Sequence, residues 1–194
     1  MKDNAYIPAK SVLFVCLGNI CRSPIAEGVF RHIVSKAGKL DGLRIDSAGL
    51  GSWHVGQPPD SRAQDALASR GIDISDLRAR QVTREDFETF DLILAMDKSN
   101  RQGLMKLAPK DQQHKIRLFM DCAPNFGVHE IPDPFFGDKD GFDYVVQLID
   151  AASRGLMRAL TAKPPATATA TATAASSPAQ AMAPASRPLA PLNG

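Results

Sequence analysis

Three residues near the N-terminus have types and a spacing suited to holding a phosphoryl group over a thiol. Cys16 follows the apolar run 11–15, and Arg22 and Ser23 come shortly after it, where a helix is predicted to begin. Backbone N–H groups in a short loop between a strand and a helix can form an anion-binding nest beside the positive end of the helix dipole. The same field stabilises a thiolate, so the pattern predicts that Cys16 is a nucleophile.

The neighbours of Cys16 support this chemistry, although each has an ordinary alternative. The planar guanidinium of Arg22 can donate to two phosphoryl oxygens together, whereas a plain surface arginine at a helix start would oppose the helix dipole. The hydroxyl of Ser23 could cap the helix, or it could donate to the Cys16 sulfur. Gly18 and Asn19 tolerate the positive φ that a tight loop requires.

One carboxylate far downstream is a candidate general acid. Asp133 precedes Pro134 in the segment 131–136. Hydrolysis of a phosphate monoester needs a group that protonates the leaving oxygen and later accepts a proton from water. Asp-Pro is also a common turn, and the residues alone favour that interpretation.

Alternating apolar patterns predict the elements that would position these side chains. Strands are predicted at residues 11–15, 43–47, 91–96 and 116–119. Helices are predicted at residues 23–36, 61–70, 83–90, 99–107 and 141–162. The second of these helices begins with a Ser-x-x-Gln capping box at Ser61. Such alternation is typical of an α/β protein with a parallel sheet, which binds ligands at the carboxyl ends of its strands.

Three separated segments resemble the low-molecular-weight protein tyrosine phosphatase family. They are the loop 16–24, the segment 46–56 with Asp-Ser-Ala-Gly and Trp-His-Val-Gly, and the Asp-Pro pair at Asp133. The resemblance covers residues 11–163 and implies a three-layer α/β fold of the phosphotyrosine phosphatase I type, a four-stranded parallel sheet with helices on both faces. It also implies a metal-independent protein-tyrosine-phosphatase that needs no cofactor, forms a cysteinyl-phosphate intermediate and uses Asp133 as general acid and base.

The resemblance assigns supporting roles to two serines and shows one departure. It favours Ser23 as the donor to the sulfur, and it implies that the hydroxyl of Ser47 braces the loop residue Asn19. Many relatives carry a histidine shortly before Ala-Arg-Gln, in the network that supports this asparagine, whereas this chain has Leu77. The network is therefore expected to be simpler here, or completed by water, and the loop less rigid.

Apolar residues are predicted to form a slot for the aryl group of the substrate. The predicted substrate-binding residues are Leu17, Gly18, Asn19, Ile20, Cys21, Ser23, Trp53, Phe135 and Phe136. Without the resemblance, Trp53 could equally be a surface loop residue. By the same resemblance, Ile20 stands where the related arginine phosphatases carry a threonine. The isoleucine therefore favours phosphotyrosine over phosphoarginine as substrate. Phe135 and Phe136 stand where many relatives carry tyrosines, and they lack the hydroxyls that phosphorylation needs.

Cys21 shares the loop with Cys16, which suggests redox regulation. Two cysteines in one tight loop can come within bonding distance, so oxidation of Cys16 would give a reversible disulfide. The alternative is that Cys21 only packs beneath the loop.

Composition limits the domain organisation and the location. Of the 194 residues 44% are hydrophobic, which suffices for one globular domain, predicted at residues 1–162. Residues 163–194 are rich in Ala, Thr and Pro, without acidic or aromatic residues, and are predicted to be a disordered tail. Three cysteines do not make a disulfide framework, and no signal peptide or membrane span is evident, so we expect a cytoplasmic protein.

Charge and motif content disfavour several classes of partner. Two of the 23 Lys and Arg lie in the tail, and the remainder match the 21 Asp and Glu, so we expect no binding to nucleic acid or membrane. The four histidines are scattered without a metal-ligand motif, and no metal is expected. By resemblance, the expected partners are phosphotyrosine-containing proteins or peptides, with a tyrosine kinase as substrate in a bacterial host, and inorganic phosphate as product.

The residues alone leave two other functions open. A thioredoxin-coupled arsenate reductase shares this loop, but it needs two further shuttle cysteines and only Cys122 remains. A non-catalytic phosphopeptide-binding module would be expected to lack either Cys16 or Asp133, and both are present.

Overall fold

A four-stranded parallel sheet forms the centre of the computed structural model, which describes residues 6–38, 42–137 and 139–163. The strands are β1 (Ser11–Cys16), β2 (Arg44–Gly49), β3 (Leu92–Ala95) and β4 (Ile116–Leu118). Their order is β2-β1-β3-β4, and each neighbouring pair is parallel. Every residue of β1 is buried, as expected for a central strand with both faces covered.

Four of the described α-helices lie between strands in the chain, and the fifth follows β4. They are α1 (Arg22–Lys36), α2 (Ser61–Ala68), α3 (Arg84–Thr89), α4 (Lys98–Leu107) and α5 (Lys139–Thr161). Each matches a predicted helix to within three residues at either end, as the fraying of helix ends allows.

The side chains of β1 alternate between two apolar clusters, one on each face of the sheet. Phe14 belongs to the cluster that includes α1, α2 and α5, and its ring centroid lies 5.7 Å from that of Phe30. Leu13 belongs to the other cluster, with Phe87 of α3 and Leu104 of α4. The helices therefore cover both faces, and the predicted three-layer α/β fold is confirmed.

The carboxyl end of β1 lies where the strand order switches. β2 flanks β1 on one side and β3 on the other, so the loops that follow β1 and β3 diverge and leave a crevice. Gly49, the last residue of β2, lies against the loop that follows Cys16. A Cβ atom at Gly49 would be 2.9 Å from the carbonyl carbon of Gly18, so this close approach requires glycine.

Local details differ from the predictions at two helix starts and in the turns. The capping box predicted at Ser61 is wrong, because Asp60 is the N-cap of α2 and its Oδ1 accepts from the Arg62 N–H at 2.9 Å. Aspartate accepts this bond as well as serine does, and it stands directly before the helix. Helix α1 begins at Arg22, one residue earlier than predicted. Three 3₁₀ turns were not predicted: Lys110–Lys115, Phe119–Cys122 and Pro124–Phe126.

The sequence also predicts a C-terminal tail and no membrane span. Apart from Lys163, the predicted tail 163–194 lies outside the described residues. None of the helices in the described part of the chain combines the length and apolar character that a membrane span needs.

Candidate active site

The loop between β1 and α1 turns tightly around the sulfur of Cys16. We call residues 16–23 the phosphate loop. Cys16 is 3% exposed and ends β1, while Asn19 has a positive φ of 58°, the conformation predicted for this loop. The Asn19 N–H points inward and lies 3.2 Å from the Cys16 sulfur. The sulfur therefore lies at the centre of a curved backbone with an N–H group aimed at it.

The hydroxyl of Ser23 contacts the Cys16 sulfur and does not cap helix α1. Ser23 Oγ is 3.0 Å from Cys16 Sγ and 3.2 Å from the carbonyl oxygen of Ala48. The N-cap of α1 is Cys21, and no side chain caps it. Of the two predicted positions for the Ser23 hydroxyl, the structure has the one that can donate to a thiolate.

A network of buried polar side chains supports Asn19 from behind the loop. Its Nδ2 donates to Ser23 Oγ and to Ser47 Oγ, both at 2.9 Å, and its Oδ1 accepts from the Arg80 N–H at 2.9 Å. The hydroxyl of Ser47 donates in turn to Oε2 of Glu27 at 2.6 Å. The structure thus brings together Asn19 and Ser47, as the resemblance implied.

Glu27 was missed by sequence reasoning, although the sequence contained a signal. It is 2% exposed and lies on α1 four residues after Ser23, on a helix face of apolar residues. A carboxylate in a buried stripe needs partners, so its position alone pointed to a polar network. Leu77 packs partly buried against the main core. The asparagine is braced here by Ser47, Glu27 and a backbone N–H, not by a histidine.

Arg22 is buried, and carboxylates on two sides hold its guanidinium. Nη1 lies 2.5 Å from Asp97 Oδ2 and donates to the carbonyl oxygen of Ile131 at 3.1 Å. Nη2 lies 2.6 Å from Asp133 Oδ2. The Nε–H of Arg22 is buried and has no hydrogen-bond partner among the described residues. A buried, unpartnered donor is costly, so this nitrogen marks a place where a ligand oxygen would be stabilised.

Asp97 is a second residue that sequence reasoning missed. It follows β3 directly and is the N-cap of α4, where its Oδ1 accepts from the Asn100 N–H at 2.6 Å. Its other oxygen holds Arg22. The signal was its place after a strand that neighbours β1, since the carboxyl ends of parallel strands meet at one edge.

Asp133 reaches the site from a segment that is anchored nearby. Its Oδ1 accepts from the Phe135 N–H at 3.2 Å, so the predicted turn and the predicted proximity to the site occur together. Two residues earlier Ile131 is fully buried, and its N–H donates to the carbonyl oxygen of Met96 at 2.8 Å. The carboxylate of Asp133 is 39% exposed, within reach of solvent.

A cavity of about 170 Å³ opens over the sulfur. Its walls are formed by Cys16, Leu17, Gly18, Ile20, Cys21, Arg22, Trp53, His54, Asp133, Phe135 and Phe136. All the predicted catalytic residues line it, whereas Asn19 and Ser23, predicted as substrate-binding residues, and Ser47 are not among the residues that line it. His54 was not predicted, although it directly follows Trp53. Its Nδ1 lies 2.9 Å from Gln57 Oε1, and its ring lies against Gly18.

Exposed apolar side chains surround the mouth of this cavity. Phe136 is 96% exposed and Trp53 is 69% exposed, with Leu17 and Phe135 less so. The Trp53 ring lies across Gly51, where a Cβ atom would overlap it. The rings of Phe135 and Phe136 meet edge to face with centroids 5.1 Å apart. Apolar surface concentrated around a polar centre is typical of a site that binds an aromatic group.

Cys21 lies in the loop as a buried free thiol. Burial raises its pKa to about 12, and the negative charges of Asp60, Cys16 and Asp133 add to the effect. Cys21 and Cys16 line the same cavity, and neither is in a disulfide. Within residues 6–38, 42–137 and 139–163, no group of three His, Cys, Asp or Glu side chains is placed to hold a metal ion.

Comparisons with known proteins agree with this geometry. A rat low molecular weight phosphotyrosine protein phosphatase is 47% identical over 145 residues, which are 74% of this chain and 90% of the relative. The crystal structure of YfkJ from Bacillus subtilis, whose curated name is low molecular weight protein-tyrosine-phosphatase, superposes with a TM-score of 0.72 at 38% identity, covering 81% of this chain and 95% of YfkJ.

A third similar structure was solved with a ligand. Vibrio vulnificus Wzb in complex with benzylphosphonate has a TM-score of 0.67 and 30% identity, covering 76% of this chain and 97% of Wzb. The family model described as low molecular weight phosphotyrosine protein phosphatase matches residues 11–166. This chain therefore belongs to the low molecular weight phosphotyrosine protein phosphatase family, whose members are cysteine-dependent protein-tyrosine phosphatases.

Proposed function

We propose that this enzyme hydrolyses phosphotyrosine through a cysteinyl-phosphate intermediate, with Cys16 as nucleophile, Arg22 as phosphoryl ligand and Asp133 as general acid and base. The observation that carries the proposal is the buried Nε–H of Arg22, unpartnered among the described residues, on a guanidinium that lines the same cavity as the Cys16 sulfur. A phosphoryl oxygen is an acceptor of the right charge for this donor.

In the first step the Cys16 thiolate attacks phosphorus. The S–P bond forms as the bond from phosphorus to the phenolic oxygen breaks, and Asp133 gives its proton to that oxygen. Arg22 and the Asn19 N–H donate to charge that develops on the phosphoryl oxygens and the sulfur. The products of this step are cysteinyl-phosphate, a free tyrosine side chain and an ionised Asp133.

In the second step water attacks the same phosphorus. Asp133 accepts a proton from the water, the S–P bond breaks and inorganic phosphate leaves. The hydroxyl of Ser23, 3.0 Å from the sulfur, is placed to donate to the departing thiolate. This bond makes the sulfur a better leaving group, so it supports the second step more than the first.

The ion pair between Asp133 and Arg22 gives the acid two positions. A phosphoryl oxygen that binds Nη2 of Arg22 competes with Asp133 Oδ2, which lies 2.6 Å from this nitrogen. A carboxyl displaced from Arg22 is free to turn toward the leaving oxygen, to which it gives its proton. Binding of the phosphoryl group and placement of the acid are linked in this way.

The walls of the cavity support an aryl substrate. Ile20 and Leu17 present apolar surface beside the sulfur, and Trp53 and Phe135 flank the opening. A guanidinium phosphate would need a polar contact that Ile20 cannot make. The benzylphosphonate bound by Vibrio vulnificus Wzb places an aromatic ring beside a phosphonate, in line with this choice.

The partners follow from this chemistry. We infer that the substrate is a phosphotyrosine-containing protein or peptide, with a tyrosine kinase among the substrates in a bacterial host, and that inorganic phosphate is the product. The three free cysteines suit the reducing conditions of a cytoplasm, where we place the enzyme. Arsenate reduction is less well supported, because it needs two shuttle cysteines and only Cys122 lies outside the loop. Burial also raises the pKa of the Cys122 thiol to about 12, which makes it a poor nucleophile.

The experiment compares the wild type with Cys16→Ser and Asp133→Ala on p-nitrophenyl phosphate and on a phosphotyrosyl peptide, with phosphoarginine and arsenate as rival substrates. We expect near-complete loss for Cys16→Ser and a kcat lower by about 100-fold for Asp133→Ala. Cys122→Ser is the matched control and should keep full activity. Unchanged kcat in Asp133→Ala, or faster turnover of phosphoarginine or arsenate, would contradict the proposal.

A further inference from the structure

Glu27 is a buried carboxylate that no step of the proposed reaction uses. It is 2% exposed, and both of its oxygens are engaged. Oε2 accepts the hydroxyl of Ser47 at 2.6 Å, and Oε1 lies 2.5 Å from Nη2 of Arg31, one helical turn further along α1. Arg31 also donates to the carbonyl oxygen of Ile45 at 3.0 Å, and about half of its side chain is exposed. A buried carboxylate with one half-exposed counter-charge is expensive to keep ionised.

The ionised carboxylate sets the direction of the hydrogen bonds behind the phosphate loop. Ser47 has one hydroxyl proton, and it gives this proton to Glu27. Its lone pairs are then free to accept from Nδ2 of Asn19 at 2.9 Å, which leaves Oδ1 of the same amide to accept from the Arg80 N–H. A proton on Oε2 of Glu27 would make this oxygen a donor, so the Ser47 proton would lose its acceptor and the bond that orients the Ser47 hydroxyl toward Asn19 would be lost.

The orientation of Asn19 reaches the nucleophile directly. Asn19 is the one non-glycine residue with positive φ in the described part of the chain, and its N–H lies 3.2 Å from the Cys16 sulfur. This backbone conformation is unfavourable for a residue with a side chain, so it persists only where the surroundings hold it. The side-chain network of Asn19 is the part of the surroundings that does so.

We propose that Glu27 is a positioning residue of the phosphate loop: its ionised carboxylate, balanced by Arg31, orients Ser47 and Asn19 so that the Asn19 N–H is held on the Cys16 sulfur. Protonation of Glu27 breaks this chain of bonds at Ser47 or at Arg31. The inference rests on the proposed function of the loop, and it adds a control point on α1 that does not line the cavity.

The charges around Glu27 indicate the pH range of this control. Burial raises the pKa of Glu27 above 4.5; the Ser47 hydroxyl, Arg31 and Arg80 oppose the shift, and Asp46 adds to it. No histidine is among these groups. Below its raised pKa Glu27 is neutral and the network relaxes, while above it the carboxylate is ionised and the loop is held. We therefore expect the control to act in the pH range around this raised pKa, with the loop held on its alkaline side.

The test compares Glu27→Gln with the wild type across pH 4.5 to 8, using p-nitrophenyl phosphate. At neutral pH we expect kcat of Glu27→Gln to be lower by about tenfold, the effect of losing a charge-assisted hydrogen bond. Toward acid pH the two enzymes converge, because wild-type Glu27 is then neutral as well. A residue that only stabilises the fold would give a ratio of activities that does not change with pH. Such a constant ratio overturns the proposal.

Arg31→Met is the second variant, and it changes only a half-exposed side chain. Without Arg31 the pKa of Glu27 rises further, so the pH at which activity is lost should move upward. Arg154→Met is the matched control, since Arg154 pairs with Asp150 across one turn of α5 in the same way but away from the loop. If Arg31→Met keeps the wild-type pH profile, Arg31 is not the counter-charge and the proposal fails.

A separate readout distinguishes this proposal from the proposed function. Iodoacetate, an anion, alkylates Cys16 at a rate that depends on the loop, and inorganic phosphate should protect the thiol. If neither the wild type nor any variant hydrolyses an aryl phosphate, the proposed function fails. The alkylation rates would still report on the role of Glu27. Equal rates for wild type and Glu27→Gln at every pH would then refute the positioning role.

Discussion

Nη2 of Arg22 and Oδ2 of Asp133 lie 2.6 Å apart, so the cation that we propose for phosphate binding is paired with the proposed acid across the cavity. The arginine is 3% exposed and the aspartate 39% exposed, so the pair is buried on one side and open to solvent on the other. An incoming anion must therefore compete with the Asp133 carboxylate for Arg22.

This pair predicts that removing the carboxylate strengthens binding of a bare anion while it abolishes acid catalysis. In Asp133→Asn, inorganic phosphate should inhibit about fivefold more strongly, because an ion pair whose carboxylate is open to solvent contributes only ~1 kcal/mol after screening. The inhibition constant for phosphate on residual p-nitrophenyl phosphate hydrolysis is the measurement. Asp150→Asn, which removes an exposed aspartate of α5, should leave this constant unchanged. Equal or weaker phosphate inhibition in Asp133→Asn would show that the carboxylate and phosphate do not compete.

Asp97 has two roles that matched variants can separate. One oxygen caps α4 and the other holds Nη1 of Arg22. Asp97→Ser keeps a capping hydroxyl but loses the ion pair, whereas Asp97→Ala loses both. We expect kcat/KM to fall about tenfold in both variants, because the guanidinium loses a bond that orients it. The free energy of unfolding should be lower by about 1 kcal/mol in the alanine variant than in the serine variant.

Denaturant unfolding and steady-state kinetics on the same preparations test this separation. Asp150→Ser is the control: it should keep wild-type kcat/KM, and its small loss of stability reports only the pair of Asp150 with Arg154 on α5. Wild-type kcat/KM in Asp97→Ser would show that Asp133 and the loop orient Arg22 without help from Asp97.

Cys21 is predicted to protect the nucleophile from irreversible oxidation. Peroxide converts the Cys16 thiolate to a sulfenic acid, and the Cys21 thiol then forms a disulfide with it and releases water. Burial raises the pKa of Cys21 to about 12, so it stays a thiol near neutral pH and does not compete for the oxidant. Mild peroxide should inactivate the enzyme, and dithiothreitol should restore most of the activity.

Cys21→Ser should lose activity permanently under the same treatment, while Cys122→Ser should recover as the wild type does. Peptide mass spectrometry of the oxidised protein measures the link directly. Oxidised wild type that recovers with dithiothreitol but contains no Cys16 to Cys21 linkage would rule out this protection.

The parts of the site that are contiguous in the chain could be predicted from the residues themselves, whereas Asp133 and Ser47 were predicted only through the family resemblance, and Asp97 and Glu27 were missed. Cys16, Arg22 and Ser23 lie within one strand–loop–helix unit whose geometry follows from local rules. Asp97 reaches Arg22 across 75 residues, and no local pattern marks its second oxygen as an arginine ligand. The apolar helix face around Glu27 indicated that its carboxylate needs polar partners, but only the packing of α1 against β2 shows that Ser47 is one of them.

The helix starts show the same limit on a smaller scale. Ser61 and Gln64 fit a capping box, yet Asp60 forms the cap because it stands one residue earlier and accepts the same kind of bond. Two candidate N-cap residues that are adjacent in the chain cannot be ranked from the sequence, because the path of the preceding backbone decides which of them caps the helix. His54 shows the limit in another way, because it joins the cavity wall only through the path of the turn at residues 53–56.

The anchoring of Ile131 has a consequence for how turnover proceeds. Its N–H is tied to the end of β3 and its carbonyl oxygen to Arg22, so the backbone is pinned two residues before Asp133. The proposed acid is attached close to this fixed point, and rotation about its own side-chain bonds would carry the carboxyl between the guanidinium and the leaving oxygen. A turnover by this route would require no movement of the backbone at Ile131.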